Sequence, residues 1–389
     1  MTLIAAFYIN NHPVLIGDVL ISCPDPSQLI NIPTYENLEI SPPEDLCRGV
    51  SELRQKVNII RSNLMVAWCG DRCAAHTLLK ELKSRSAAAK FTRNSLRTFF
   101  ESDEIRDWMG KAEVCFLGYI IDDDGIKEFN YSFNGAEIHQ IKVPTYGNTF
   151  IAGSGSNDLI DLLETVPRQP STPKKTSEYD YAVQASLSIC GSLLVTESKN
   201  IKSSYGGSFE IATLNKQEMF EKVNDITYFW WCVSNCESSN PKLELVNKAY
   251  KLIYIEDVLV VYTLSMGQTA SQLTRDSLPL NSYTEFPIDE CQSYRIAPCY
   301  YTYFPKKEIW SVLSKVSIDI TSSLNCNHLF PIEYNPSGDF YLVPGKDRIC
   351  KPHLRENSSY IVKSLNNRPS TLIIKNEDLD DLINSYKRK

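Results

Sequence analysis

The sequence predicts an α+β fold in which two β-sheets pack face to face and helices cover both outer faces. Along the 389 residues the hydrophobic pattern changes from strands to two helices, back to strands, to two more helices, and again to strands. This order differs from the strict strand–helix alternation that indicates a parallel sheet. With 43% apolar and 22% charged residues, the chain has an ordinary globular composition and is long enough to bury a core.

The character of the sequence changes near residue 268, where prolines, tyrosines and short strand patterns such as CYYTYF and STLIIK become common. The chain ends on the helical pattern EDLDDLINSYKRK. We therefore expect two domains, a larger one over residues 1–267 and an appended C-terminal β-rich domain over residues 268–389.

The first half of the larger domain begins with a β-hairpin over residues 3–21, in which LIAAFYI and VLIGDVLI flank the turn NNHP. KVNII and LMVAWC predict two further short strands. Residues 71–109 have the period of two amphipathic helices. The stretch from VCFLGY to HQIKV returns to strands, with Asp-Gly and Asn-Gly turns.

The second half of this domain contains two predicted helices and then strands. A glycine-rich turn, GSGS, leads into the helix NDLIDLLETV, and the polar loop PRQPSTPKK separates it from the helix YAVQASLSICGSLLVTES. GGSFEIATL, TYFWWCVS and YKLIYIEDVLVVYTL are typical of strands.

Composition argues against several functions. The net charge of −7 is spread along the chain, so no nucleic-acid partner is expected. No apolar run reaches the roughly 18 residues of a membrane span, and the opening apolar stretch is interrupted by a turn, unlike a signal peptide. The twelve cysteines therefore predict free thiols in a reducing cytoplasm.

The cysteine spacing favours buried thiols over a metal site. Cys69 and Cys73 are four residues apart, as are Cys232 and Cys236, and neither pair has the two-residue gap usual in zinc knuckles. We expect no metal and no cofactor.

The second residue is the strongest candidate for chemistry. Removal of Met1 would make Thr2 the N-terminus, and a threonine hydroxyl becomes a useful nucleophile when a base accepts its proton. A free α-amine titrates at about pH 8 and could be that base. Asp18 follows sixteen residues later, and Lys56 opens KVNII. A lysine ammonium held by Asp18 would lower the amine pKa and polarise the hydroxyl.

Two turns complete the candidate site. Gly70 in AWCGD stands at a strand-to-helix turn, where a backbone N–H can stabilise a developing oxyanion. Ser154 in GSGS could orient the amine or relay a proton through water.

These spaced residues, in this order over residues 2–265, resemble those of the proteasome β-subunit family of N-terminal nucleophile (Ntn) hydrolases. The resemblance implies the four-layer αββα Ntn-hydrolase sandwich and assigns catalytic roles to Thr2, Asp18, Lys56, Gly70 and Ser154. It also implies homo-oligomerisation and a peptide or protein substrate. The appended C-terminal domain adds the expectation of a regulatory partner protein. The predicted function is a threonine-type peptidase or amidohydrolase that cleaves amide bonds through an acyl-enzyme on Thr2.

The sequence departs from the family pattern in two places. The family has an aspartate and a serine just before the Gly-Gly of its last helix-to-strand turn, whereas this chain has NIKSSYGGSF, with Asn200 or Lys202 near the aspartate position and Ser203 or Ser204 nearby. The loop between Asp18 and Lys56 is also longer than in typical relatives.

The resemblance further predicts a substrate-binding set, which consists of Ser22, Arg54, Trp68 and Arg72. Trp68 would narrow the first specificity pocket, and the two arginines would favour an acidic side chain. The alternative is that Trp68 fills core and the arginines face solvent.

A catalytically inactive, proteasome-like scaffold or partner-binding module is the alternative function. Thr2 could be an ordinary strand residue, Asp18 and Lys56 a structural ion pair, and Gly70 only a helix-entry turn. GSGS before a helix could also bind a phosphate, but it lacks the Lys-Ser/Thr ending of a P-loop.

Overall fold

The computed structural model describes a mixed α and β protein built largely from antiparallel sheets. The described residues are 2–23, 32–34, 49–88, 91–165, 177–195, 200–201, 203–234, 242–255, 257–266, 288–299, 328–334, 359–361 and 372–374.

The helices are α1 (Arg72–Ala88), α2 (Arg93–Glu101), α3 (Asp103–Met109), α4 (Ser156–Thr165) and α5 (Glu178–Val195). The strands of the first half are β1 (Ile4–Ile9), β2 (His12–Asp18), β3 (Leu20–Cys23), β4 (Gly49–Leu53), β5 (Val57–Arg61), β6 (Leu64–Gly70), β7 (Val114–Asp122), β8 (Gly125–Phe133), β9 (Ile138–Val143) and β10 (Gly147–Ala152). Those of the second half are β11 (Phe209–Leu214), β12 (Phe220–Lys222), β13 (Ile226–Ser234), β14 (Lys242–Ile255), β15 (Val258–Met266), β16 (Ile288–Ile296), β17 (His328–Tyr334), β18 (Ser359–Ile361) and β19 (Leu372–Ile374).

Two of the sheets share one apolar core. One has the order β12-β11-β2-β1-β10-β9 and the other β5-β6-β7-β8. Apolar side chains from both sheets form the core between them, among them Ile4, Leu15, Met65 and Leu117. The predicted hairpin is present as β1 and β2, and its turn residues Asn10 and Asn11 adopt the positive φ angles that asparagine tolerates. It is shorter than predicted, because the second strand ends at Asp18 and β3 pairs with β4 instead.

Helices cover the outer face of each of these sheets. Helices α1 to α3 pack on the four-stranded sheet through a cluster that includes Leu79 and Phe100. Helices α4 and α5 pack on the six-stranded sheet through a cluster that includes Leu159 and Leu187.

The prediction of two helices over residues 71–109 is wrong, because this region forms three. Ser102 ends α2 and caps α3 at the same time: its N–H donates to the carbonyl of Phe99, and its side chain accepts the N–H of Ile105 at 3.3 Å. A serine that satisfies a free helix N–H is a strong start signal, so the periodic pattern is divided at this residue.

A third sheet lies against the outer side of α5, with the order β16-β15-β14-β13-β17-β19-β18. Strand β16 pairs along β15, so strand pairing crosses the domain boundary predicted at residue 267. The division into two domains stays a prediction. The residues of α5 from Tyr181 to Leu194 are buried, as expected for a helix that lies between two sheets. Residues 300–304 of CYYTYF and the predicted C-terminal helix lie outside the described residues.

No helix in the described part of the chain is long and apolar enough to span a membrane.

A buried histidine makes stability depend on pH. His12 is 7% exposed, its Nε2 lies 2.6 Å from the carbonyl oxygen of Leu214, and burial lowers its pKa, partly opposed by that carbonyl and by Glu178. Because the unfolded chain then binds a proton more readily, stability falls as pH decreases below the unfolded value of about 6.5. Between about pH 7 and about pH 5, we expect the free energy of unfolding, measured in urea, to decrease less for His12→Gln than for wild type. Equal losses for both chains would contradict this assignment.

Candidate active site

The site is organised around the carboxylate of Asp18, at the end of β2, which accepts five hydrogen bonds. Oδ1 accepts the hydroxyl of Thr2 at 2.5 Å, the ammonium of Lys56 at 2.6 Å and the N–H of Leu3 at 2.9 Å. Oδ2 accepts the N–H of Gly206 at 2.8 Å and that of Leu20 at 3.2 Å. The structure therefore brings three of the predicted site residues into one hydrogen-bonded cluster.

Strand register explains why the sequence spacing places Thr2 beside Asp18. Ile4 pairs with Gly17 across the β1–β2 hairpin, so the residues just outside this pair lie at the same end of the sheet. A Cβ at Gly17 would lie 3.0 Å from Val57 Cγ2 and 3.4 Å from Lys56 Cβ. The missing side chain thus lets the segment that carries Lys56 approach the hairpin closely.

Lys56 is a fully buried cation with two acceptors. Its Nζ donates to Asp18 Oδ1 at 2.6 Å and to the carbonyl of Leu20 at 2.5 Å. The same Asp18 oxygen also accepts the hydroxyl of Thr2, so the lysine and the threonine share one carboxylate oxygen. Burial lowers the pKa of Lys56, and the neighbouring Asp18 charge opposes this shift.

The turn between β10 and α4 contacts the main chain of Thr2. The carbonyl oxygen of Thr2 accepts the N–H of Gly155 at 3.3 Å and the hydroxyl of Ser154 at 3.4 Å. Gly153 has φ of 102°, and a Cβ there would lie 2.1 Å from the same carbonyl oxygen. Glycine is therefore required at 153. Ser154 contacts the Thr2 carbonyl, and its role at the α-amine stays a prediction.

Gly70 ends β6 with φ of 101°, at the turn into α1. A Cβ there would lie 2.2 Å from the carbonyl oxygen of Glu113, so the turn excludes a side chain. The N–H of Trp68 donates to the carbonyl of Lys56 at 3.2 Å, which places this end of β6 beside the lysine. Gly70 is exposed, and its oxyanion role stays a prediction.

Trp68 lies in the core. Its side chain is completely buried in the cluster beneath α1 to α3, and its Nε1 donates to the carbonyl of Gln55 at 3.2 Å. Successive strand residues point to opposite faces, so Trp68 faces the helices while Cys69 faces the other sheet. This burial fits the core interpretation and leaves no Trp68 surface for a substrate.

The two predicted arginines share one carboxylate. Glu52 binds Arg54 Nε at 3.0 Å and Arg72 at 2.6 Å, and the Arg72 side chain is 43% exposed. The group therefore carries a net charge of +1. The Ser22 hydroxyl is buried, without a hydrogen-bond partner among the residues that the structure describes.

Cys69, next to Gly70, is a poor candidate for an alternative nucleophile. A hydrogen bond with Cys115, its partner across β6 and β7, and burial together raise its pKa well above the usual value. A thiol is nucleophilic as the thiolate, so the raised pKa and the burial of Cys69 both disfavour it as a nucleophile. Within the described residues, no group of three or more His, Cys, Asp or Glu side chains could hold a metal ion.

Sequence reasoning missed two groups that contact the cluster. The N–H of Gly206, in the NIKSSYGGSF segment, donates to Asp18, and Glu210 accepts the backbone N–H of Lys56. Glu210 could have been found as the single charge within the apolar strand FEIATL. In the same segment Asn200 is buried and accepts the hydroxyl of Tyr205 at 2.7 Å.

No protein-family model matches the sequence, and no curated protein sequence matches it significantly. The case for a function therefore depends on the geometry of the site.

Proposed function

We propose that this chain is a threonine-type amidohydrolase, acting on peptide bonds, whose nucleophile is Thr2 after removal of Met1. The observation that carries the proposal is the Asp18 carboxylate, which holds both the Thr2 hydroxyl and the buried Lys56 ammonium. Activation of a hydroxyl needs a nucleophile, a nearby cation and a group that orients both, and here the Asp18 carboxylate is the orienting group.

The layer order supports the same assignment. Two sheets in face-to-face contact, with α1 to α3 on one outer side and α4 and α5 on the other, are what the αββα Ntn-hydrolase sandwich of the proteasome-like family requires. Because a fold can host unrelated functions, the site carries more weight than the layers.

In the proposed reaction, the Thr2 oxygen attacks the substrate carbonyl while the free α-amine of Thr2 takes the hydroxyl proton. The ammonium of Lys56 stabilises the developing alkoxide, and the N–H of Gly70 stabilises the oxyanion, a contribution worth about 3–4 kcal/mol in other enzymes. The α-ammonium then gives its proton to the leaving amine, and the C–N bond breaks. The acyl group remains as an ester on Thr2, which water hydrolyses. Asp18 holds Lys56 throughout, whereas its hydrogen bond from the Thr2 hydroxyl is broken when the α-amine takes that proton.

The substrate we propose is a peptide or protein. The net positive charge of the Glu52, Arg54 and Arg72 group favours an acidic side chain next to the cleaved bond. By resemblance, we also propose that the chain forms a homo-oligomer. The expected free thiols are the basis for proposing a cytoplasmic location, and residues 268–389 are the proposed contact for a regulatory partner protein.

The test is the intact mass of the purified protein with and without a β-lactone or epoxyketone probe. We expect loss of Met1 and one covalent adduct per chain, because the reaction needs both a free α-amine and an accessible hydroxyl. Retained Met1 together with an unmodified mass would overturn the proposal.

One observation favours the alternative of an inactive scaffold or partner-binding module. Thr2 is only 2% exposed, and its hydroxyl and carbonyl are both hydrogen-bonded. On this alternative, the Thr2–Asp18–Lys56 cluster only joins the two sheets, and a chain that lacks Met1 remains unreactive toward the probe.

A further inference from the structure

Glu210 is a fully buried carboxylate on β11 that binds the backbone of the lysine segment. Its Oε2 accepts the N–H of Lys56 at 2.6 Å and the N–H of Val57 at 3.1 Å. Lys56 lies just before β5 begins, so its N–H has no place in the strand ladder, and Glu210 supplies the acceptor. A buried N–H without a partner is unfavourable, so this contact determines where the segment lies.

The other oxygen of Glu210 belongs to a second group of polar side chains. Oε1 accepts the ammonium of Lys222 at 2.8 Å and the hydroxyl of Tyr254 at 3.1 Å. The Lys222 ammonium also lies 4.6 Å from the centre of the Tyr254 ring and donates to the side-chain oxygen of Gln55.

Gln55 connects this network to the third sheet. Its side-chain amide donates to the carbonyls of Asp257 at 2.7 Å and Ile296 at 2.5 Å, and its N–H donates to Ala297 at 3.1 Å. The residue directly before Lys56 is thus bound by the turn between β14 and β15 and by the end of β16. A segment held on both sides in this way has a single orientation.

We propose that Glu210 is a positioning residue for Lys56: it fixes the lysine main chain, so that the ammonium reaches Asp18 and the Thr2 oxygen. The inference rests on the proposed function, because its consequence is the rate of acylation at Thr2. It also gives the third sheet a role, which is to support the lysine segment from outside the two packed sheets.

The charge of Glu210 also acts on Lys56. The ionisable groups that act on the lysine are the carboxylates of Asp18 and Glu210 and the thiol of Cys69. Burial lowers the pKa of Lys56, whereas Asp18, Cys69 and Glu210 raise it. Loss of the Glu210 charge therefore lowers the pKa of Lys56 further. As pH rises, the ammonium then loses its proton earlier, so the acylation rate at Thr2 starts to fall at a lower pH than in wild type.

The test compares the rate of probe adduct formation, from pH 6 to pH 10, in the full-length wild type and Glu210→Gln. We expect a roughly tenfold to hundredfold slower reaction for the variant and a shift of the alkaline limb to lower pH. Lys222→Met combined with Glu210→Gln removes the cation left unpaired in the single variant. We expect this double variant to recover folding stability. Its labelling rate should still fall at the lower pH seen for Glu210→Gln alone.

Asp225→Asn is the matched control. Asp225 forms an ion pair with the buried Lys251 at 2.8 Å, and its φ of 57° is one that asparagine tolerates. We expect the control to lose stability while its labelling rate and pH profile remain those of wild type.

The outcomes separate the two proposals. If the wild type is labelled and Glu210→Gln is labelled at the same rate and with the same pH profile, only the positioning role of Glu210 is overturned. A wild type that lacks Met1 and forms no adduct overturns the threonine-hydrolase proposal and the role of Glu210 together.

Discussion

Replacing Thr2 with alanine is expected to abolish amide hydrolysis and probe labelling while the chain stays folded. The substitution removes the only oxygen that the mechanism uses as a nucleophile, and the residual rate should be at least a thousandfold lower, as for other lost nucleophiles. The backbone contacts of Thr2 with Gly155 and Ser154 remain, so circular dichroism and the unfolding midpoint should change little.

Thr2→Ser is the matched control for this variant, because it keeps the hydroxyl that donates to Asp18 and removes only a methyl group. We expect Thr2→Ser to retain labelling and hydrolysis within roughly tenfold of wild type. Adduct formation that persists in Thr2→Ala would show that another residue reacts, and the assignment of Thr2 as nucleophile would then be wrong.

Lys56→Met is expected to reduce hydrolysis by at least a hundredfold and also to destabilise the fold. Methionine approximates the volume of the lysine stem, but the Asp18 carboxylate loses its buried cation. Removal of one partner from a buried ion pair typically costs about 3–5 kcal/mol, because the other charge is left uncompensated. Urea unfolding and single-turnover acylation, measured on the same preparation, separate the two effects.

A surface ion pair supplies the control for the lysine. Lys127 binds Asp124 at 2.9 Å, and the Asp124 side chain is 72% exposed. Because exposed pairs contribute about 0–1 kcal/mol, Lys127→Met should leave both stability and acylation close to wild type. If Lys56→Met were as stable and as active as this control, Lys56 would have neither a structural nor a catalytic role.

Local sequence pattern was enough to predict the elements around the site. The hairpin turn with its two flanking strands, the strands KVNII and LMVAWC, and the helices that begin near Ser156 and Glu178 occur as expected. These predictions succeed because alternation, helical period and turn residues depend on neighbours within a few positions of the chain. The second hairpin strand ends at Asp18, however, and Leu20–Cys23 forms β3, which pairs with β4. The same reasoning missed the division at Ser102, where a cap overrides a continuous helical period.

The sequence spacing also singled out Thr2, Asp18 and Lys56, which the structure joins through one carboxylate. The hairpin register accounts for the first two, because residues that flank a tight turn at equal distance pair across it. No local rule places Lys56 there. Its position depends on the close approach that Gly17 permits between the two sheets.

Only the tertiary structure decided which polar residues work together. Trp68 could line a pocket or fill core on sequence grounds, and the packing of α1 to α3 over its face places it in the core. Glu210 reads as one charge in an apolar strand, yet it holds the backbone of Lys56, 154 positions earlier in the chain. The physical reason is that burial and hydrogen-bond partners are set by sheets and helices that are distant in sequence, whereas propensity and period are set by near neighbours.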